Sequence, residues 1–361
     1  MQKRLKQGLI ATNRFTIFVL SKTFRINQSA KTKIMKHISI LVPQGHTSLP
    51  NIDGTHQILS EVNTFAERMG MPPVFKIQLV GISSEISQRN GRFTITPDCL
   101  IGDIKQTDLI IIPAMHGDMQ QALESNAEFL PWITKQYRAG AEVASLCIAA
   151  FFLAATGLLK GKQCATHWAS ANQFRQMFPD VNVVDDKIIT HEDGIYTSGG
   201  AYSFLNLLVY LIEKYAGREM AIIISKAFMI DIDRHSQSPF IMFQGQKDHD
   251  DDAIQKTQQY IEDKFEDKIT VEELAGKFAV GRRTLERRFK KATGNTVVEY
   301  IQRVKIEAAK RSFETSRKNI SEVMFDVGYT DTKAFRDVFK KITGITPVEY
   351  RNKYNRGMVA V

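Results

Sequence analysis

The segment TLERRFKKATG at 284–294 returns fifty residues later as AFRDVFKKITG at 334–344. The same offset carries Glu299 and Tyr300 onto Glu349 and Tyr350, and upstream VEELAGKFAV (271–280) parallels SEVMFDVGY (321–329). Two such short units cannot make a solenoid, so the duplication reads as two copies of one small helical module. Each copy has a short helix (about 271–278, then 320–327) and a turn, with Gly328 in the second and Gly281 near the first. A second helix follows (about 282–292, then 332–342). Apolar residues fall at helical spacing: Leu274, Phe278, Leu285 and Phe289 in one copy, Val323, Val327, Phe335 and Phe339 in the other. Two helices clamped across a turn by one apolar seam form a helix-turn-helix, whose second helix can lie in the DNA major groove.

The polar faces of those second helices fit that partner. The first carries Arg282, Arg283, Thr284, Glu286, Arg287, Lys290 and Lys291; the second carries Thr332, Lys333, Arg336, Lys340 and Lys341, with Thr330 and Asp331 placed to cap it. Arginine forks donate two parallel hydrogen bonds to guanine edges, and lysines near helix ends suit phosphates. A solvated charged face is the better reading for one isolated helix. Two copies at a fixed offset with the same seam favour DNA.

Charge follows the same division. The chain has 361 residues and net charge +9, but residues 1–36 carry +9, 37–252 carry −8 and 253–356 carry +8. A basic C-terminal region beside an acidic middle points to a polyanion partner for the former alone. Residues 1–34 are read as a basic, disordered extension or an upstream start, in preference to a cleavable targeting peptide around RFTIFVL. No apolar run is long enough to cross a membrane. Three scattered cysteines, Cys99, Cys147 and Cys164, give neither a disulfide framework nor a zinc site and fit a reducing cytoplasm.

Residues 35–227 alternate short apolar runs (37–42, 75–81, 108–113, 142–146) with helical periodicity (53–69, 118–138, 148–158, 201–216). Such alternation predicts an α/β domain with an open, mostly parallel sheet covered on both faces. Residues 228–252 lose the pattern and end in an acidic run, so they read as a linker before an all-α domain at 253–356. No HExxH or CxxC occurs and the histidines lack metal-ligand spacing, so neither metal nor cofactor is expected.

Residues 253–356 resemble the DNA-binding domain of the AraC/XylS family, through ITVEELAGKFAVGRRTLERRFKKATGNTVVEYIQRVKIEAAK and NISEVMFDVGYTDTKAFRDVFKKITGITPVEYR. The resemblance implies two helix-turn-helix units joined by one long helix, here about 295–314, docked in successive major-groove segments on one face of DNA. It departs at the opening of the first reading helix, where Gly281-Arg282-Arg283 stands for the usual Ser-Pro-Arg. Residues 37–227 resemble the ThiJ/PfpI, glutamine-amidotransferase-like, flavodoxin-like fold, through SLCIAAFFLAATGLLKGKQCATHW (145–168) and TSGGAYSFLNLLVYLIEKYAG (197–217). With SPF at 238–240, the combination resembles the GlxA type of AraC-family regulator.

In that superfamily the nucleophile sits at a strand-to-helix turn, which here holds Cys147, with His167 as the partner imidazole. A cysteine hydrolase or amidase fused to a DNA-binding domain is therefore the alternative. The loop after the first strand argues against it: it lacks the superfamily's Glu, and Asp53 is its only acid. Ile148 and Ala149 replace the small segment after the elbow, and Pro113-Ala114-Met115-His116-Gly117 replaces Pro-Gly-Gly. The expectation is a non-enzymatic regulator, on the family's leaning an activator, with Cys147 and His167 degenerate. Its partners are double-stranded operator DNA, an unknown small-molecule effector in the old cleft, a second copy of the chain and, as a further candidate, RNA polymerase.

Overall fold

The computed structural model describes residues 35–247 and 249–355; the basic extension at 1–34, residue 248 and residues 356–361 lie outside them. Seven strands form the main sheet: β1 (Lys36–Leu41), β2 (Phe75–Gly81), β3 (Cys99–Leu100), β4 (Leu109–Ile112), β5 (Glu142–Ser145), β6 (Ile189–Glu192) and β7 (Ile195–Ser198). Their order is β6-β7-β5-β4-β1-β2-β3, parallel throughout except for β6, which pairs antiparallel with β7. The four sequence-predicted strands form its centre, in register Ile38↔Ile77 and Ile38↔Leu109.

Alternation along β1 divides the core. Ile38, Ile40 and Val42 face one layer, with α1 (Leu49–Arg68), α6 (Phe204–Ala216) and α7 (Arg218–Ala227). Leu41 joins the opposite layer, with α2 (Met119–Ser125), α3 (Phe129–Arg138), α4 (Ala150–Ala155) and α5 (Ala171–Met177). The single helix expected over 118–138 is two helices. Asn126 interrupts it: its side-chain amide donates to Ala122 O and Gln44 O and accepts from Gln44 N, tying the break to the loop after β1.

From 252 onward the described chain is helical: α8 (Asp252–Asp263), α9 (Val271–Lys277), α10 (Arg282–Thr293), α11 (Val297–Thr315), α12 (Ile320–Asp326), α13 (Thr332–Thr343) and α14 (Pro347–Tyr354). Capping boxes start four of them, Thr270–Glu273, Thr296–Glu299, Asn319–Glu322 and Thr346–Glu349. Helix α11 serves two cores. Val297, Tyr300 and Ile301 pack with α8, α9 and α10, whereas Ile306, Ala309 and Phe313 pack with α12, α13 and α14.

Candidate functional site

The two helical units repeat in three dimensions as they do in sequence. Positions 281–294 and 331–344 share one burial pattern, residue for residue, with Leu285, Phe289 and Thr293 buried in α10 and Phe335, Phe339 and Thr343 in α13. Phe289 meets the edge of Tyr300 at 5.2 Å between ring centres, and Phe339 meets Tyr350 at 5.5 Å. Both helices end on a left-handed glycine, Gly294 and Gly344.

The turn before each is also shared, with one difference. After α9, Ala279 N–H donates to Gly276 O and Val280 N–H to Ala275 O; after α12, Gly328 N–H donates to Phe325 O and Tyr329 N–H to Met324 O. These are the same reversed helix ending. Its left-handed position holds Gly328 (φ 73°) in the second unit but Ala279 (φ 51°) in the first. Gly281, the glycine near the first turn in sequence, is the N-cap of α10, with no side chain to offer. Helix α13 is capped by Asp331, whose carboxylate accepts from Ala334 N at 2.6 Å; Thr330 precedes that cap.

Every sequence-predicted DNA residue on these helices is exposed: Arg282, Arg283, Thr284, Glu286, Arg287, Lys290, Lys291, Thr330, Thr332, Lys333, Arg336, Lys340 and Lys341. They are not equally placed. At about 3.6 residues per turn, Arg283, Arg287 and Lys290 lie across α10 from the buried stripe, and residues 333, 337 and 340 do so on α13. Arg282 instead pairs with Glu272 of α9 and reaches Glu286 at 3.4 Å. Lys290 folds back to donate to Gly294 O at 2.6 Å and pairs with Glu299 at 3.8 Å. Arg288, not singled out from sequence, makes a two-pronged bond to Asp251 (2.9 and 2.6 Å) and fastens α10 to the N-cap of α8.

The strand-to-helix turn at Cys147 in the α/β layer has different chemistry. Cys147 follows β5 at φ 58° and opens a 3-10 turn into α4. Its N–H donates to Ser198 Oγ at 3.2 Å, and burial pushes its thiol up to about 11. Thr166 Oγ1 contacts Cys147 O at 3.4 Å, bringing the His167 segment alongside. The His167 ring, however, accepts from Ala169 N through Nδ1 and lies beside Trp168; no hydrogen bond joins it to Cys147. Burial and the neighbouring His116 lower its pKa. Asp53 lies elsewhere, at the rim of an open apolar groove of about 410 Å³ with Tyr202 and Phe204. Cysteine, imidazole and acid are thus not assembled into a proton-transfer chain.

The segment between the two regions is held along its length. Gln237 N–H donates to Asp186 O, and its side-chain amide donates to Thr166 O (2.9 Å) and Lys187 O (3.2 Å), beside the elbow. The next residues, Ser238–Phe240, pack on α13, with Tyr354 Oη on Pro239 O and Lys353 Nζ 4.3 Å from the centre of the Phe240 ring. Beyond them, buried Lys310 donates to Ile241 O and pairs with Glu307, which accepts from Phe243 N.

Comparison with known proteins adds two matches to this geometry. Residues 60–214 match the model of the DJ-1/PfpI family, and residues 274–353 match a helix-turn-helix domain model. The chain joins a DJ-1/PfpI domain to an AraC-type helix-turn-helix domain. The HTH-type transcriptional regulator GbdR of Pseudomonas aeruginosa is 25% identical over 268 residues, covering 74% of this chain and 72% of that protein. The HTH-type transcriptional regulator GlxA of Rhizobium meliloti is 24% identical over 221 residues, covering 60% and 67%. The crystal structure of Drosophila melanogaster DJ-1beta has a TM-score of 0.44 at 18% identity, covering 55% of this chain and 100% of that one. In this DJ-1/PfpI domain, as in the helix-turn-helix domain, no described helix is long and apolar enough to cross a membrane.

Proposed function

We propose that this protein is a sequence-specific, DNA-binding transcriptional regulator, in the main an activator, working in the cytoplasm. The observation that carries this reading is the pair of helices α10 and α13. They share one burial pattern and one outward lysine pair, Lys290–Lys291 and Lys340–Lys341, and both are mounted on α11. Lysines at the helix ends meet phosphates, and Arg283, Arg287, Lys333 and Arg336 reach base edges. Thr284, Thr330 and Thr332 add hydroxyl contacts, while Arg282 and Glu286 set the approach of α10.

The DJ-1/PfpI domain acts as the sensor rather than as a hydrolase. A thiol raised to about 11 is protonated at neutral pH and is a poor nucleophile. This domain receives a small effector, and it also pairs two copies of the chain. Such pairing would set two helix-turn-helix domains on a longer operator. RNA polymerase is the further partner of an activator.

Selection of the full-length chain against a random DNA pool, at fixed salt, tests the reading. Enrichment of two short motifs about one helical turn apart is expected. Binding without sequence preference overturns it.

A further inference from the structure

The exposed faces of α10 and α13 agree in charge at 283/333, 290/340 and 291/341 but differ at 282/332 (Arg, Thr), 286/336 (Glu, Arg) and 287/337 (Arg, Asp), and Glu286 is already engaged by Arg282. Residues 283, 290 and 291 (Arg, Lys, Lys) face 333, 340 and 341 (Lys, Lys, Lys), and Thr284 faces Ala334. At the middle of the face Arg287 is replaced by Asp337. The burial pattern makes the two residues equivalent, each exposed and two residues past a fully buried anchor, Leu285 or Phe335. Asp337 makes no hydrogen bond or ion pair among the described residues, so its carboxylate oxygens are open to a donor on a partner, although Lys333, Lys340 and Lys341 stand one turn away on the same helix.

A carboxylate facing a polyanion weakens binding unless it meets a donor. Phosphates offer none, whereas the major-groove edge of cytosine presents an N4 amino group that a carboxylate accepts from. The arginine at the equivalent place in α10 suits the acceptors of guanine. Resting on the regulator reading above, the geometry points to Asp337 as a specificity-determining residue. It selects cytosine in the α13 half-site where Arg287 selects guanine in the α10 half-site. The operator is then two different half-sites, and the chain binds it in one orientation.

The test is random-pool selection at one salt concentration with four full-length proteins: wild type, Asp337→Arg, Asp337→Asn and Arg287→Asp. Asp337 is exposed, so these variants keep the wild-type melting temperature, which is checked first. In the wild type, one half-site carries cytosine and the other guanine at the corresponding position. Asp337→Arg exchanges that cytosine for guanine and Asp337→Asn shifts it to adenine, each costing the wild-type operator about 10-fold or more in affinity relative to the new one. The other half-site is unchanged. Arg287→Asp alters only the guanine position. Variants that enrich the wild-type motif, merely tighter or weaker, overturn the assignment while leaving the regulator reading intact. A wild type that enriches no motif overturns both.

Discussion

Ala279 holds a left-handed backbone that costs an L-residue about 1–2 kcal/mol, whereas its counterpart Gly328 holds the same turn freely. Ala279→Gly is therefore expected to stabilise the first helix-turn-helix by about 1 kcal/mol, after the added unfolded-chain entropy is subtracted, as a higher melting temperature will show. Gly328→Ala goes the other way. Its methyl would land on Glu266 O, against the Lys305 ammonium that donates to Asp267 O and Val327 O. The loss should be about 2 kcal/mol or more. Buried thiols set a pH dependence as well. Cys147 and Cys164 titrate near 11 and 12 in the folded chain against an ordinary 9.0, because burial disfavours the thiolate. Unfolding lets them ionise, so stability is full below about pH 9 and declines as pH rises toward those values. Denaturation midpoints should fall between pH 8 and 10.5, and fall less in a Cys147→Ala, Cys164→Ala chain. At neutral pH a thiol alkylating agent should label Cys147 far more slowly in the native chain than in the denatured one.

Helices α10 and α13 each rest on their own core, so their losses should be separable. Leu285→Ala is expected to cost about 2–5 kcal/mol and Phe335→Ala about 3–5 kcal/mol, each read as partial unfolding of its own unit by amide exchange. These elements were legible in sequence because apolar spacing and capping residues are local: 271–278, 282–292, 320–327 and 332–342 lie within a residue or so of the observed helices. The strand at 75–81 is observed as Phe75–Gly81. Strands β6 and β7 were not legible, since each has only four residues and β6 buries Thr190 alone, too little for an apolar pattern. Nor was the structural role of Arg288, whose partner Asp251 lies 37 residues upstream. The left-handed turn fell on Ala279 and not Gly281, because the first turn is one residue shorter than the second; a glycine in sequence marks backbone freedom only when its register is known.

Across the whole molecule, the segment read as a linker carries the contacts between the elbow and α13. Composition concealed this: a polar, proline-bearing run resembles a spacer, and its anchors Thr166, Glu307, Lys310 and Tyr354 all come from distant chain. Phe240→Ala removes its ring from Lys353 and Tyr354 and should cost about 1 kcal/mol, seen as faster protease cleavage within 236–246 with both folded regions retained. The central claim, that α10 and α13 are two reading heads held on one face of DNA, is tested most directly by a hydroxyl-radical footprint of the full chain on its selected operator. Two protected windows about one helical turn apart are expected, with Leu285→Ala erasing one and Phe335→Ala the other. A single window, or protection that both variants weaken alike, would contradict it.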